Sequence, residues 1–280
     1  DSSLQASSFM SEGKLEGTWG SVSFDDMTGS ITGQDFHIDF SGNILDAFRK
    51  NIVQMNLRAR SVSFDLLHLF GHEFSSFDGI TNINAKLYSE SNRSFALKDV
   101  EISSKSSVFE IKATGEVSAL GTNPQFKIEF ETQTDRLKDF LALLDYEIPI
   151  DGSGTADGLL IRNGDNYQID GLVLSADTPE LAFQATGEVS AFGQTPEFNL
   201  DFKLLNLGEI DLSWFWNEQL PFDLGFLTEV TGSVVAVGGT IVASELSLDL
   251  MGQKLLGHFS GRLPSLGHSS LADWSLRLTS

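Results

Sequence analysis

The heptad Ala113-Thr114-Gly115-Glu116-Val117-Ser118-Ala119 occurs again, unchanged, as Ala185-Thr186-Gly187-Glu188-Val189-Ser190-Ala191, 72 residues further on. The likeness continues without a gap. Pro124, Phe126, Ile128 and Phe130 correspond to Pro196, Phe198, Leu200 and Phe202. Seven identities followed by a matching apolar rhythm mark a duplicated unit. A fixed period in this range is the sign of a repeat architecture, in which neighbouring units stack to bury a shared apolar face.

Around the heptad the period is two. From Val108 to Ala119, Phe109, Ile111, Ala113, Gly115 and Val117 alternate with Glu110, Lys112, Thr114, Glu116 and Ser118. That is a strand with one dry face and one wet face. Gln34 to Phe40, Asn56 to Phe64, Thr81 to Ser89, Phe95 to Ser103, Phe126 to Phe130, Gly158 to Ile161, Leu181 to Ala191 and Glu197 to Leu204 read the same way. Asn163-Gly164-Asp165-Asn166 predicts a hairpin turn, and Gly171 a bulge. Asp25-Asp26 predicts a turn after Ser21 to Phe24. A weaker copy of the unit runs through Thr231 to Val237, Ile241 to Leu250, Lys254 to Leu263 and Trp274 to Leu278, with Gly261 as counterpart of Gly187. Leu45, Phe48 and Ile52 have helical spacing, which leaves residues 44–52 open between helix and strand. Short apolar helices are expected at 65–71, 135–144 and 208–216, where Asp or Gly bounds a run of Leu and Phe. The expected division is a partial unit over 1–70, units over 71–145 and 146–217, and a truncated unit over 218–280. Glycine in mid-strand marks either a bend or a small residue under a large neighbour.

Composition narrows the function. The net charge is −21, from 18 Lys and Arg against 39 Asp and Glu. So acidic a chain is unsuited to phosphate backbones, which speaks against nucleic acid as a partner. There is no cysteine, hence no disulfide, thiol chemistry or Cys-ligated metal. The 22 Phe against 3 Tyr build a dry surface rather than a hydrogen-bonding one. No apolar window is long enough for a membrane-spanning helix. The start at Asp1-Ser2-Ser3-Leu4 and the end in the strand from Trp274 predict a piece of a longer protein.

No constellation for catalysis assembles: there is no nucleophile elbow and no phosphate loop. His68 and His72 beside Glu73 lack the order of a zinc helix. Asp151 to Gly158 and Asn163 to Asn166 match no calcium loop and read as turns. No metal, no cofactor and no enzymatic activity are expected. What is both repeated and unusual is the apolar stripe on one strand face of every unit.

The unit runs from a short Leu/Phe helix through a Gly-rich turn, paired strands, a Gly-x-Val-Ser strand and a Pro to a Phe-x-Ile/Leu-x-Phe strand. Residues 113–130 with 135–144, and 185–202 with 208–215, carry this order best. It resembles the periplasmic part of the AsmA-like proteins of Gram-negative bacteria (the AsmA/TamB/YhdP group), which are similar to bridge-like lipid transfer proteins. The resemblance implies a mostly β fold: repeated antiparallel sheet curved into an open apolar groove, a "β-taco", with short helices at the repeat ends. It implies periplasmic localisation, an inner-membrane anchor absent from this chain, and envelope protein partners at the groove ends. It also implies non-enzymatic binding and transport of phospholipid between inner and outer membranes, in support of outer-membrane assembly.

On that reading, acyl chains lie along Phe109, Ile111, Val117, Phe126, Ile128 and Phe130. Their counterparts are Leu181, Phe183, Val189, Phe198, Leu200 and Phe202, followed by Phe259, Trp274 and Leu276. The other reading is a periplasmic or cell-surface β-repeat scaffold, adhesin-like, in which the same stripe is a filled core.

Overall fold

The computed structural model describes residues 6–18, 21–47, 51–63, 78–91, 94–120, 124–143, 151–164, 166–190, 197–206, 227–238, 240–250, 252–262 and 275–279. They are almost wholly strand. In chain order the strands are β1 (Ala6–Thr18), β2 (Ser21–Gly33), β3 (Phe36–Leu45), β4 (Ile52–Ser63), β5 (Asp78–Ser91), β6 (Ser94–Ser106), β7 (Glu110–Leu120) and β8 (Gln125–Thr134). After a short helix, α1 (Leu137–Leu143), come β9 (Ser153–Asn163), β10 (Asn166–Asp177), β11 (Leu181–Ser190) and β12 (Glu197–Asn206). The last four are β13 (Leu227–Val237), β14 (Thr240–Leu250), β15 (Gln253–Arg262) and β16 (Ser275–Thr279). They form one sheet in which order in space follows order in sequence, from β1 to β16. The chain divides into two compact bodies, residues 1–130 with 161–165 and residues 131–160 with 166–280. Each is taken by itself below.

In both bodies the pairing is antiparallel, and the registers fall into a period of four strands. The second strand of each repeat carries one extra residue at positive φ. These residues are Asp26 (φ 49°), Asp99 (φ 49°), Gly171 (φ 58°) and Glu245 (φ 55°). Three residues of the second strand there match two of the third. The pairs step from Phe24↔Ile44 to Met27↔Gly42, and from Leu97↔Val117 to Val100↔Gly115. In the second body they step from Ile169↔Val189 to Leu172↔Gly187, and from Ala243↔Phe259 to Leu246↔Gly257. This is a β-bulge, which bends and twists the strand that carries it.

The residue after each bulge faces a glycine on the third strand: Gly42, Gly115, Gly187 and Gly257. At three of these glycines a side chain has no room. A Cβ on Gly42 would lie 2.0 Å from the carbonyl oxygen of Gln54, one on Gly115 2.1 Å from that of Lys127, and one on Gly187 2.0 Å from that of Asn199. So the heptad glycine is the place where the fourth strand's backbone comes too close for any Cβ. The close approach decides the glycine's role, which the sequence left open.

Several expectations change. Asp25-Asp26 is no turn: β2 runs straight through it, and the acidic pair is the bulge. Residues 44, 45 and 52 lie in β3 and β4 rather than a helix. The first seventy residues contain a complete four-strand repeat with its bulge and its glycine. The residue facing Leu246 is Gly257; Gly261, which pairs with Ile241, is not the counterpart of Gly187. The hairpin at Asn163–Asn166 and the bulge at Gly171 are where the sequence puts them. The helix expected at 135–144 is α1; those expected at 65–71 and 208–216 lie outside the described residues.

Candidate apolar binding face

Residues directly opposite on paired strands share a face, so the registers can be followed across each body. In the first, Phe9, Ile31, Ile38, Ala59, Ile83, Ile102 and Ala113 form one row through seven strands. Beside it runs Met27, Gly42, Met55, Leu87, Leu97 and Val117. In the second body Leu172, Gly187, Leu200, Val234, Ala243, Phe259 and Leu276 form a row through β10 to β16. A parallel row joins Ala176, Phe183, Leu204, Val230, Leu248 and Leu255.

The face changes character at one end. Phe36, Ser61, Thr81, Ser104 and Ile111 stand in register, and the three hydroxyl residues among them are buried. Thr81 and Ser104 share a hydrogen bond of 2.8 Å, and the Ser61 hydroxyl donates to the Asp35 carbonyl at 3.0 Å. Thus every buried hydroxyl here has a partner, as burial demands.

The opposite face is wet and charged. Ser30, Asp39, Arg58, Asn84, Glu101 and Thr114 form its central row in the first body. Lys14 pairs with Asp26 at 2.9 Å, and Lys86 with Asp99 at 2.7 Å. These are the same pair one repeat apart, each cation reaching across to the bulge residue. The side-chain hydrogen bond, and after it the attraction of the partner's charge, holds Asp26 and Asp99 below the ordinary carboxylate range. The same causes raise Lys14 and Lys86. All four groups are exposed ion-pair members, which does not make a poised acid or base.

The residues expected along the stripe can now be placed. Ile111 and Val117 sit on the apolar face of β7; Gly115 between them meets Ile128 of β8, and Phe126 and Phe130 share the face of Ile128. Phe109 is buried just before β7, where its backbone N–H donates to the Ser106 hydroxyl at 2.9 Å. Leu181, Phe183 and Val189 share the face of Gly187 on β11, and Phe198, Leu200 and Phe202 pair with that face from β12. Phe259 and Leu276 occupy its register in β15 and β16. Trp274 lies outside the described residues. The registers thus bring each body's described candidates onto one face.

Sequence reasoning missed the second strands. Val100, Ile102, Leu172, Leu246 and Leu248 are buried members of the same face. Their signal is an apolar pattern at i, i+2, i+5 and i+7, in which the three-residue step is the bulge.

Chemically, the arrangement offers area. Removing apolar surface from water contributes roughly 25 cal/mol per Å². Among the described residues no group of three or more His, Cys, Asp or Glu is placed to hold a metal ion. Comparisons of the chain with protein-family models, with curated proteins and with solved structures found no match.

Proposed function

We propose that the chain is a non-enzymatic lipid-conducting element of a bacterial envelope, binding phospholipid acyl chains along its apolar sheet face. The carrying observation is the register. Each four-strand repeat returns its Phe, Ile, Leu and Val to one face, because the bulge absorbs an extra residue that would otherwise turn half of each second strand over. Such a row suits a long unbranched apolar ligand, because each CH₂ it covers contributes about 0.8 kcal/mol and the ligand slides without chemistry. On this proposal the sheet forms an open groove, headgroups stay in water at its rim, and the chain works in the periplasm. On the same proposal envelope proteins receive lipid at the groove ends.

The test is a photocrosslinker at Phe198 or Phe126, with Asn199 or Lys127 on the wet face as controls. Protein purified from phospholipid membranes should carry phospholipid by native mass spectrometry and crosslink it from the apolar positions alone. No retained lipid, or equal crosslinking from both faces, would overturn the proposal. Leu200→Asp should abolish retention while leaving the β-sheet circular dichroism in place.

A second reading has its own support. Val100 and Val117 are each 1% exposed and Ala236 0%, the values of a filled core. A scaffold whose repeats bury that face against protein would give them too, and would yield no lipid in the same experiment.

A further inference from the structure

Away from the apolar rows, three side chains of the first body are connected as a hydroxyl nucleophile is to its base. Thr32, near the end of β2, pairs with His37, near the start of β3. Asp39 follows two residues on and so shares the face of His37. The Thr32 hydroxyl lies 3.0 Å from Nδ1 of His37, and Nε2 of the same ring lies 3.0 Å from Oδ1 of Asp39. A carboxylate can only accept, so the Asp39 contact puts the ring proton on Nε2. Nδ1 is then the acceptor, and the Thr32 hydroxyl donates to it. We propose that Thr32 is an acyl-acceptor site: His37 is its general base, Asp39 positions the ring, and small activated acyl esters are the donors.

Such a constellation is recognised by its geometry and not by its order in the chain. The hairpin that holds it is braced. Phe36 is buried, and a Cβ on Gly33 would run into its ring. The carbonyl of Asp35, in the turn, accepts the Ser61 hydroxyl at 3.0 Å. A hydroxyl and an imidazole already held in contact on a braced corner lose little freedom when they react. Arg60 of β4 stands opposite His37 in register, and its guanidinium brings positive charge to that face for an oxyanion formed at Thr32. The His37 and Asp39 side chains are 48% and 58% exposed, so a small donor reaches them directly from water. In the step, Thr32 Oγ1 bonds to the carbonyl carbon of the ester while its proton passes to Nδ1 of His37. The single bond from that carbon to the alcohol oxygen then breaks. The alcohol leaves with the proton from His37, or as its anion while the proton passes to water, and Thr32 is left as an ester. The three side chains lie on the wet face, so the reaction is independent of what the apolar rows bind.

Treating the full chain with p-nitrophenyl acetate tests it. The chain should release p-nitrophenolate in a stoichiometric burst, and peptide mapping by mass spectrometry should place the acetyl group on Thr32. Thr32→Val should abolish the burst. His37→Gln and Asp39→Asn should each slow it about 100-fold. Asp39→Glu should recover most of the parent rate, because it restores the carboxylate that sets the ring's tautomer. Circular dichroism matching the parent protein shows that the variants are folded. Acetyl groups confined to lysines, a burst that survives Thr32→Val, or an Asp39→Asn chain as fast as the parent overturns the proposal. A Thr32→Val chain acetylated on His37 would mean that the imidazole is itself the nucleophile.

Discussion

Gly187→Ala and Gly171→Asp should have opposite outcomes, although both glycines lie at positive φ on neighbouring strands. At Gly187 (φ +155°) the new Cβ would sit 2.0 Å from the Asn199 carbonyl oxygen and 3.0 Å from Leu200 Cα. Ordinary contact begins near 3.4 Å, so β12 would have to retreat by more than an ångström from β11. Strands are held about 4.8 Å apart by their hydrogen bonds, and such a retreat breaks several of them. The backbone conformation itself is open almost only to glycine, at about 1–3 kcal/mol for any other residue. Forced overpacking adds about 1–3 kcal/mol, which gives a loss of about 4 kcal/mol. At Gly171 (φ +58°) nothing lies within 4 Å of the added Cβ. The equivalent positions already hold Asp26 and Asp99 at φ 49°. The left-handed conformation costs Asp about 1 kcal/mol, and loss of glycine's freedom in the unfolded chain returns about 0.4–1 kcal/mol. Stability should be unchanged within about 0.5 kcal/mol. Urea unfolding followed by circular dichroism reads both, and hydrogen exchange of the β11 and β12 amides reads the loss locally. If Gly187→Ala lies within about 1 kcal/mol of the parent, the close approach is not what holds the glycine in place. If Gly171→Asp falls as far as Gly187→Ala, the four bulges are not equivalent.

Three further outcomes follow from packing and charge. Val117→Ala removes two methyl groups from a site 1% exposed and should destabilise by about 2 kcal/mol. Thr114→Val, on the wet face of the same strand, should stay within about 0.5 kcal/mol in the same urea titration. Thr81→Val strands one partner of the buried 2.8 Å hydrogen bond to Ser104 and should lower stability by about 1–3 kcal/mol. Thr81→Val with Ser104→Ala should lose less than the sum of the two single changes, and strict additivity in that cycle would count against the bond. Lys86→Met should return the Asp99 carboxyl upward toward its ordinary value, read by carbon NMR titration. The depressed folded value makes the pair stabilising above the ordinary carboxylate pKa of 3.8, with that contribution lost as pH falls through the folded value. An Asp99 midpoint indifferent to Lys86 would show that the pair does not form in solution.

The sequence exposed the elements whose signal is local. Alternation over Val108 to Ala119 and over Glu197 to Leu204 is written in consecutive residues, and β7 and β12 are there. Asn163 to Asn166 has the composition of a tight turn, and the hairpin is there. The first repeat was hidden for a physical reason. Its bulge is built from Asp25-Asp26, and two acidic residues are as common in turns as in left-handed bulge positions. Only pairing on both sides tells the two apart. Leu45 and Ile52 left helix and strand open because helical spacing also arises by chance where one strand ends and the next begins; both lie in strands. For the candidate face, the residues with strict period two were legible. Those on the second strands were not, since the bulge breaks their period, and a broken alternation looks like an unpatterned run. The glycine's role required knowing which carbonyl lies across from it.

The bulge and the glycine work as one device. A strand's side chains change face with every residue, so inserting one residue turns over everything beyond it. In β6 the inward residues are Leu97, then Val100, Ile102 and Ser104. Were the same sequence to alternate regularly, without the bulge, Asp99 and Glu101 would take the face that Val100 and Ile102 now hold, and two buried carboxylates would replace two buried aliphatic chains. The bulge lets the second strand keep its apolar face on both sides of the extra residue. On the third strand, facing the residue after the bulge, stands the glycine over which the fourth strand passes too closely for a Cβ: Gly42 against Gln54, Gly115 against Lys127, Gly187 against Asn199. A side chain at that point would push the fourth strand off, and the fourth strand is the one that receives the next repeat. The heptad is therefore held fixed by the junction it makes possible. Its alanines and valine fill the face on either side, and its glycine sets how closely the next strand can follow.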